Sequence, residues 1–306
     1  MREFLEIRVD TIWRILFYPF YRGKNLGGVY LLEIDTNSKW YKWTEFLHGV
    51  LNKIGMLLFS GWRHKRFYSK DEMRNNRCFQ IYPSRFFEPD GEECGTIYDE
   101  SSACPICGSG ARQLSPLKLK RKTIPRSDLA MTIADGDEII ASERFVKMVR
   151  EHELTGIDFD PVYGAGKNGQ PLNFYQIRPL HYLDISSKTT FGVNPFNLSG
   201  TTPAWTETRW EKEGRKLKEH KEYHPEKIYK CPNGDNMGLN ILSEAYIKSN
   251  PMLDSLDFFA SRQTVGIREG VIRPRHLFFC SNRMMRLIKE YKLKGIGFEV
   301  AHIVDE

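Results

Sequence analysis

Apolar positions recur along this chain at more than one period. Val29-Tyr30-Leu31-Leu32-Glu33-Ile34 is an almost continuous apolar run closed by the turn formers Asp35, Thr36, Asn37 and Ser38, which predicts a buried strand. Over Trp43–Phe59 the apolar residues Phe46, Val50, Leu51, Ile54, Leu57 and Leu58 fall near helical spacing and predict an amphipathic helix, with Gly55 weakening its end. Leu117-Lys118-Leu119-Lys120 alternates, then runs on into Arg121-Lys122, and predicts a strand with one positive, wet face. Gly164-Ala165-Gly166-Lys167-Asn168-Gly169-Gln170-Pro171 predicts a connector or hairpin tip. A phosphate-binding loop would place Ser or Thr after its lysine, and Asn168 stands there instead. Residues 206–230 alternate in charge (Glu207, Arg209, Glu211, Lys212, Glu213, Arg215, Lys216) and predict a solvated helix or a linker.

The strongest organising pattern is an internal repeat. Residues 142–159 match 281–298, with identical pairs at Ser142/Ser281, Arg144/Arg283, Glu151/Glu290, Leu154/Leu293, Gly156/Gly295, Ile157/Ile296 and Phe159/Phe298. Each copy follows an apolar run, Ile139-Ile140-Ala141 or Leu277-Phe278-Phe279-Cys280. The serine is placed to cap a helix whose apolar stripe (145, 146, 148, 149 or 284, 285, 287, 288) packs on a sheet. The glycine is expected to close that helix in a left-handed conformation, and an extended segment follows. The expected fold is α+β: mixed sheets with two duplicated strand–helix–strand units and an inserted zinc knuckle. The expected regions are an aromatic-rich 1–75, a knuckle plus first unit over 76–205, and a charged linker plus second unit over 206–306.

Length and composition add bounds. The chain has 306 residues, 41% hydrophobic and 27% charged, which excludes a largely disordered polypeptide. Aromatics reach 13% and crowd the first 75 residues, as burial combined with a contact surface would require. No run approaches the length of a membrane-spanning helix, and Met1-Arg2-Glu3-Phe4 does not open a secretory signal. The expectation is a cytoplasmic protein with no membrane contact. The net charge of +6 is mild and suits an acidic protein partner as well as a nucleic acid.

Six cysteines are too few for a disulfide scaffold. Cys104-Pro105-Ile106-Cys107-Gly108-Ser109-Gly110 has the form of a zinc knuckle, two thiolates on one turn with small residues behind them. Cys94-Gly95 is the natural third ligand. Cys231-Pro232-Asn233-Gly234 looks like half of a second knuckle and makes Cys231 the expected fourth ligand, with Cys78, His220 and His224 as alternatives. Thiolates in this number close the shell of a structural Zn²⁺, whereas hydrolytic sites use His and carboxylate and keep a water position. A thiol-exchange motif would have its second cysteine open a helix, and Gly108-Ser109-Gly110 is a poor opening. A zinc deaminase needs His-x-Glu before its cysteines; here both such triplets, from His220 and His224, come after them. His152-Glu153 does not continue into a second histidine, and no Gly-x-Ser-x-Gly occurs. No catalytic residue is assigned, so the expectation leans away from an enzyme. Cys280, His181, His276 and His302 read as structural.

Cys-Pro-x-Cys-Gly, an apolar strand, Ser-x-Arg-Phe and a helix running into Leu-x-Gly-Ile-x-Phe together resemble bacterial polymorphic-toxin immunity proteins of the double-CXXCG-motif kind. The similar stretch covers 94–163 and, less closely, 228–304, and it departs where Cys231-Pro232-Asn233-Gly234 lacks a second cysteine. The resemblance implies a non-enzymatic protein that binds and neutralises a cognate toxin. The alternative is a zinc-ribbon nucleic-acid-binding protein, for which Trp62-Arg63-His64-Lys65-Arg66-Phe67-Tyr68 interleaves aromatics with positive charge.

Overall fold

The computed structural model describes the chain apart from residues 18–22, 106, 134–136, 167–168, 193, 199–204, 214–215, 225–230, 232, 237–239, 267 and 269–271, with backbone alone along 205–213 and 216–224. It divides into two compact units: Met1–Asn75 with Thr190–Thr201 and Asn240–Ser243, and Asn76–Thr189 with Thr202–Leu239 and Glu244–Glu306. The regions 76–205 and 206–306, set apart on sequence, therefore both contribute to the second unit.

In the first unit, β1 (Arg2–Asp10), β2 (Lys24–Asn25), β3 (Val29–Asp35) and β4 (Phe59–Phe67) form a sheet in the order β2-β3-β1-β4. Leu5, Ile7 and Val9 of β1 alternate onto one face and pack with Leu32, Ile34 and Phe59. Helix α1 (Lys39–Lys53) crosses this face, and α2 (Lys70–Asn75) follows β4. A helix forms in the predicted region, but over Lys39–Lys53 rather than Trp43–Phe59, whose last residue opens β4, and only part of the expected stripe packs inward. Trp40, Tyr41, Leu47 and Leu51 meet the core, while Phe46 (60% exposed), Ile54 (64%) and Leu57 (72%) lie outside. The expected stripe is therefore divided: Leu51 and Leu58 join the core while Phe46, Val50, Ile54 and Leu57 are exposed, and Ile54, Leu57 and Leu58 lie beyond the end of α1.

In the second unit, β5 (Cys78–Pro83), β6 (Phe86–Phe87), β7 (Tyr98–Asp99), β8 (Arg112–Gln113), β9 (Lys118–Leu119), β10 (Leu129–Thr132) and β11 (Ile139–Ser142) lead to α3 (Glu143–Glu151), β12 (Ile157–Gly164), β13 (Pro171–Pro179) and β14 (Tyr182–Leu183). After β15 (Phe191–Gly192), which pairs with β18 (Asn240–Ile241) in the first unit, β16 (Trp205–Glu213) and β17 (Lys216–His224) form an antiparallel hairpin. Over its described residues the charge-alternating stretch is thus a pair of strands rather than a helix or linker, and 225–230 lie outside the described residues. Its register sets Glu211 opposite Lys218 and Glu213 opposite Lys216. The chain closes with β19 (Ala245–Lys248), β20 (Phe258–Val265), β21 (Arg275–Ser281), α4 (Asn282–Glu290) and β22 (Ile296–Val304).

Two six-stranded sheets result, β6-β10-β11-β13-β12-β9 and β14-β20-β21-β5-β22-β19. They match strand for strand. In each, the repeat supplies three strands and its helix, and a fourth strand enters between them from the other half of the unit. β13 pairs antiparallel with β11 and β12, and β5 pairs antiparallel with β21 and β22. The registers coincide: Ile157↔Pro179 and Phe159↔Ile177 on one side, Ile296↔Pro83 and Phe298↔Ile81 on the other. β5 thus completes the sheet of the second repeat while β6, a few residues on, edges that of the first. β13 and β14 make the reverse exchange.

The seam between the halves is reciprocal. Ser142 accepts from Phe145 N and caps α3, and Ser281 accepts from Met284 N and caps α4, as the repeat predicts. Each capping hydroxyl donates to an aspartate, Ser142 to Asp128 at 2.7 Å and Ser281 to Asp257 at 2.6 Å. Each aspartate also accepts from the backbone of the opposite repeat, Asp128 from Lys294 N at 2.7 Å and Asp257 from Thr155 N at 3.2 Å. Arg144 pairs with Asp128 and donates to Tyr291 O; Arg283 pairs with Asp257 and donates to His152 O. Such pairing is what an isologous interface between two copies produces. The helices are closed not by glycine but by Glu153 (φ 48°) and Lys292 (φ 51°). Gly156 and Gly295 serve the seam instead: an added Cβ would stand 2.0 Å from Phe258 O or 2.5 Å from Leu129 O.

Candidate metal centre

The cysteines that converge come from one turn in each half, at the same point in its order of strands, between β6 and β9 in the first and between β14 and β19 in the second. The first turn caps the hairpin of β7 and β8. Cys104 N donates to Ser109 O at 2.7 Å, Gly108 N to Cys104 O at 2.8 Å and Ser109 N to the Cys107 Sγ at 3.4 Å. Gly108 is required here on two counts, a φ of 77° and a Cβ position 2.2 Å from the Cβ of Arg268. The second turn is one residue tighter: Cys231 N donates to Asp235 O at 2.9 Å and Gly234 N to Cys231 O at 2.9 Å. It is held against the end of β20, where Asn236 bridges Val265 and Asn236 N donates to Thr264 O.

The two turns meet. The Sγ atoms of Cys104, Cys107 and Cys231 lie within 4.8 Å of one another, all buried, close enough to bind a metal ion. Asp235, also buried, adjoins them: its Oδ2 accepts from the Cys231 thiol at 3.3 Å and from the Cys107 thiol at 3.6 Å. Its Oδ1 accepts from Thr264 N at 2.7 Å and from the Thr264 hydroxyl at 2.9 Å, which fixes the carboxylate plane. Burial pushes the thiols of Cys107 and Cys231 up, so they carry protons until a cation displaces them. Behind the first turn, Arg273 is buried against the Tyr98 ring, 4.0 Å from its centroid, and donates to Glu92 and Glu100, each at 2.6 Å. Arg268 pairs with the same Glu100, and its backbone N donates to Cys107 O.

Three of the four cysteines named on sequence are therefore brought together, and Cys94 is not. It is buried at a separate turn, where its N–H donates to Asp90 O and Gly91 O, and burial raises its thiol beside Lys120. Neighbourhood in sequence suggested Cys94, whereas the fold draws its third sulfur from the opposite half. Cys78 sits inside β5, its thiol pushed up to about 12 by burial, and Cys280 is fully buried in β21. The side chains of His220 and His224 lie outside the described residues. His276 Nδ1 pairs with Ser261 O at 2.8 Å and His302 Nε2 with Glu244 at 2.7 Å, both structural contacts. Sequence reasoning missed Asp235, although it directly follows the stretch Cys231–Gly234 read as half of a second knuckle.

The basic heptad falls on β4 and the turn after it. Arg63 pairs with Glu6, Arg66 with Glu3 and Lys65 with Glu33, and His64 is buried against Pro195 O. Of the other basic run, Leu117 and Leu119 are buried while Lys120, Arg121 and Lys122 remain exposed. No described helix is long and apolar enough to cross a membrane. No protein-family model matches the chain, and no curated protein matches it.

Proposed function

We propose that the chain is a non-enzymatic binding protein whose cysteine cluster holds a structural zinc ion, and that it neutralises a cognate bacterial toxin by direct binding in the cytoplasm. The observation that carries the first part is the convergence of three buried thiols from two turns in opposite halves of one unit. Such a donor set favours Zn²⁺ among abundant cations, and burial leaves the ion a clasp rather than a reaction centre. The binding part rests on exposed apolar side chains on and just after α1: Trp43 stacks on Phe46 with ring centroids 5.8 Å apart, and Ile54 and Leu57 are exposed as well. The choice of a toxin as partner rests on the motif resemblance over 94–163.

The nucleic-acid alternative has less support, because the positive charges of the Trp62–Tyr68 heptad are taken up by Glu3, Glu6 and Glu33. The test is co-expression with the toxin gene lying beside this one in its native genome. Survival of the host and a stable complex in gel filtration are expected. Unrelieved toxicity, together with salt-sensitive retention of an oligonucleotide by the purified chain, would overturn this reading.

A further inference from the structure

We infer that Asp235 is the fourth ligand of the zinc ion, so that the centre has three sulfurs and one carboxylate oxygen and each half of the unit contributes two donors. The inference rests on the zinc reading above and adds to it the identity of the fourth donor.

Geometry carries it. Zinc bonds of about 2.3 Å to sulfur and about 2.0 Å to oxygen, at tetrahedral angles, set sulfur and oxygen about 3.5 Å apart. The Asp235 Oδ2 stands 3.3 Å from the Cys231 Sγ and 3.6 Å from the Cys107 Sγ. The three sulfurs lie within 4.8 Å of one another, against about 3.8 Å in a closed tetrahedral shell, and Asp235 adjoins Cys231 and Cys107 but stands outside that group, so the two turns must draw together around the ion to bring the carboxylate and Cys104 into one shell. The carboxylate is already oriented. Both hydrogen bonds from Thr264 fall on Oδ1 and leave Oδ2 facing the sulfurs, the arrangement of a monodentate ligand steadied from behind. Asp235 is buried, and a buried carboxylate beside thiols has few favourable states other than binding a cation or accepting thiol protons.

Topology makes the same assignment. The first turn presents its donors at Cys104 and Cys107, three residues apart. The second occupies the matching place in the other half, is closed by a backbone hydrogen bond from Cys231 N to Asp235 O, and presents its donors four residues apart. The missing second cysteine of the second turn is thus replaced in space by the next polar side chain along. On loading, zinc displaces the three thiol protons to solvent and Asp235 enters as carboxylate.

X-ray absorption at the zinc edge of the full chain tests this, with Asp235→Asn and Asp235→Cys as variants and circular dichroism to confirm their folds. Wild type should show three sulfurs at about 2.3 Å and one light atom at about 2.0 Å, and Asp235→Cys should show four sulfurs. Asp235→Asn should weaken zinc roughly 100-fold or more in competition with a chromophoric chelator, beyond what loss of an outer hydrogen-bond partner usually costs. Four sulfurs in wild type, an unchanged shell in Asp235→Cys, or unaltered affinity in Asp235→Asn would each overturn the assignment while leaving the zinc reading intact. A wild-type protein that takes up no zinc would overturn both.

Discussion

The two halves of the second unit share a scaffold and differ at their cysteine turns. β10, β11, α3 and β12 repeat in β20, β21, α4 and β22, down to the capping serines, the aspartates beneath them and the glycines of the seam. At the cysteine turns the likeness stops: one turn offers two thiols, the other a thiol and a carboxylate. The scaffold positions are tied to the opposite half by backbone contacts with little tolerance for change. The centre needs only four donors converging on one point, and an oxygen one residue further along can meet that need where a sulfur is missing. This difference is open to perturbation.

The largest effect is expected from Cys107→Ser. Losing the ion leaves buried thiols with no cation and unties the two turns, a cost on the order of 4 kcal/mol or more, where loss of a metal belongs among single substitutions. Thermal melting should fall by roughly 10 °C, and removing the ion from wild type by chelation should lower it by a similar amount. Next come Gly156→Ala and Gly295→Ala. Both add a left-handed side chain against a carbonyl oxygen, at 2.0 Å and 2.5 Å, and each should cost about 2–4 kcal/mol in chemical denaturation. Near-equal penalties would sharpen the likeness of the halves; a large penalty at one site and none at the other would break it.

Asp128→Ala and Asp257→Ala each strip a capping serine, an arginine and an opposing backbone N–H of their acceptor, and should cost about 2 kcal/mol apiece. Smallest is the contribution of Glu306, which lies beyond β22, where the first half instead turns into β13. The hydroxyls of Ser186 and Ser187 hold its carboxyl down at about 2, against an ordinary 4.5. A depressed folded-state value means that the stabilisation is present above about pH 4.5 and is lost as pH falls through about 2. The melting difference between wild type and Glu306→Gln should therefore close over that window; a difference unchanged at pH 2 would contradict it.

Much of this was legible in the sequence, and the gaps have physical causes. The strand–helix–strand segments and their serine caps were readable because local chemistry determines them: Ser142 and Ser281 need only a helix behind them. The exchanged strands were not, since pairing between distant strands leaves no local trace. In retrospect Gln80-Ile81-x-Pro83 and Gln176-Ile177-x-Pro179 mark them, with Pro83 opposite Ile296 and Pro179 opposite Ile157. The knuckle Cys104–Cys107 was readable from spacing and Cys231 from its Pro-x-Gly context. Cys94 is near the knuckle along the chain but not in space, and Asp235 gives no signal in sequence because a carboxylate carries no spacing rule of its own. In α1 the period is legible but its ends and packing side are not, since a segment apolar on both faces gives no direction: Leu51 is buried while Phe46 and Val50 are exposed.

The central claim is that one metal ion joins the two halves through Cys104, Cys107 and Cys231. Its most direct test is elemental analysis of freshly purified wild type, Cys104→Ser and Cys231→Ser. One zinc per chain in wild type, lost in both variants, is the result expected. An ion retained in full by Cys231→Ser, or none in wild type, would contradict a centre shared between the halves.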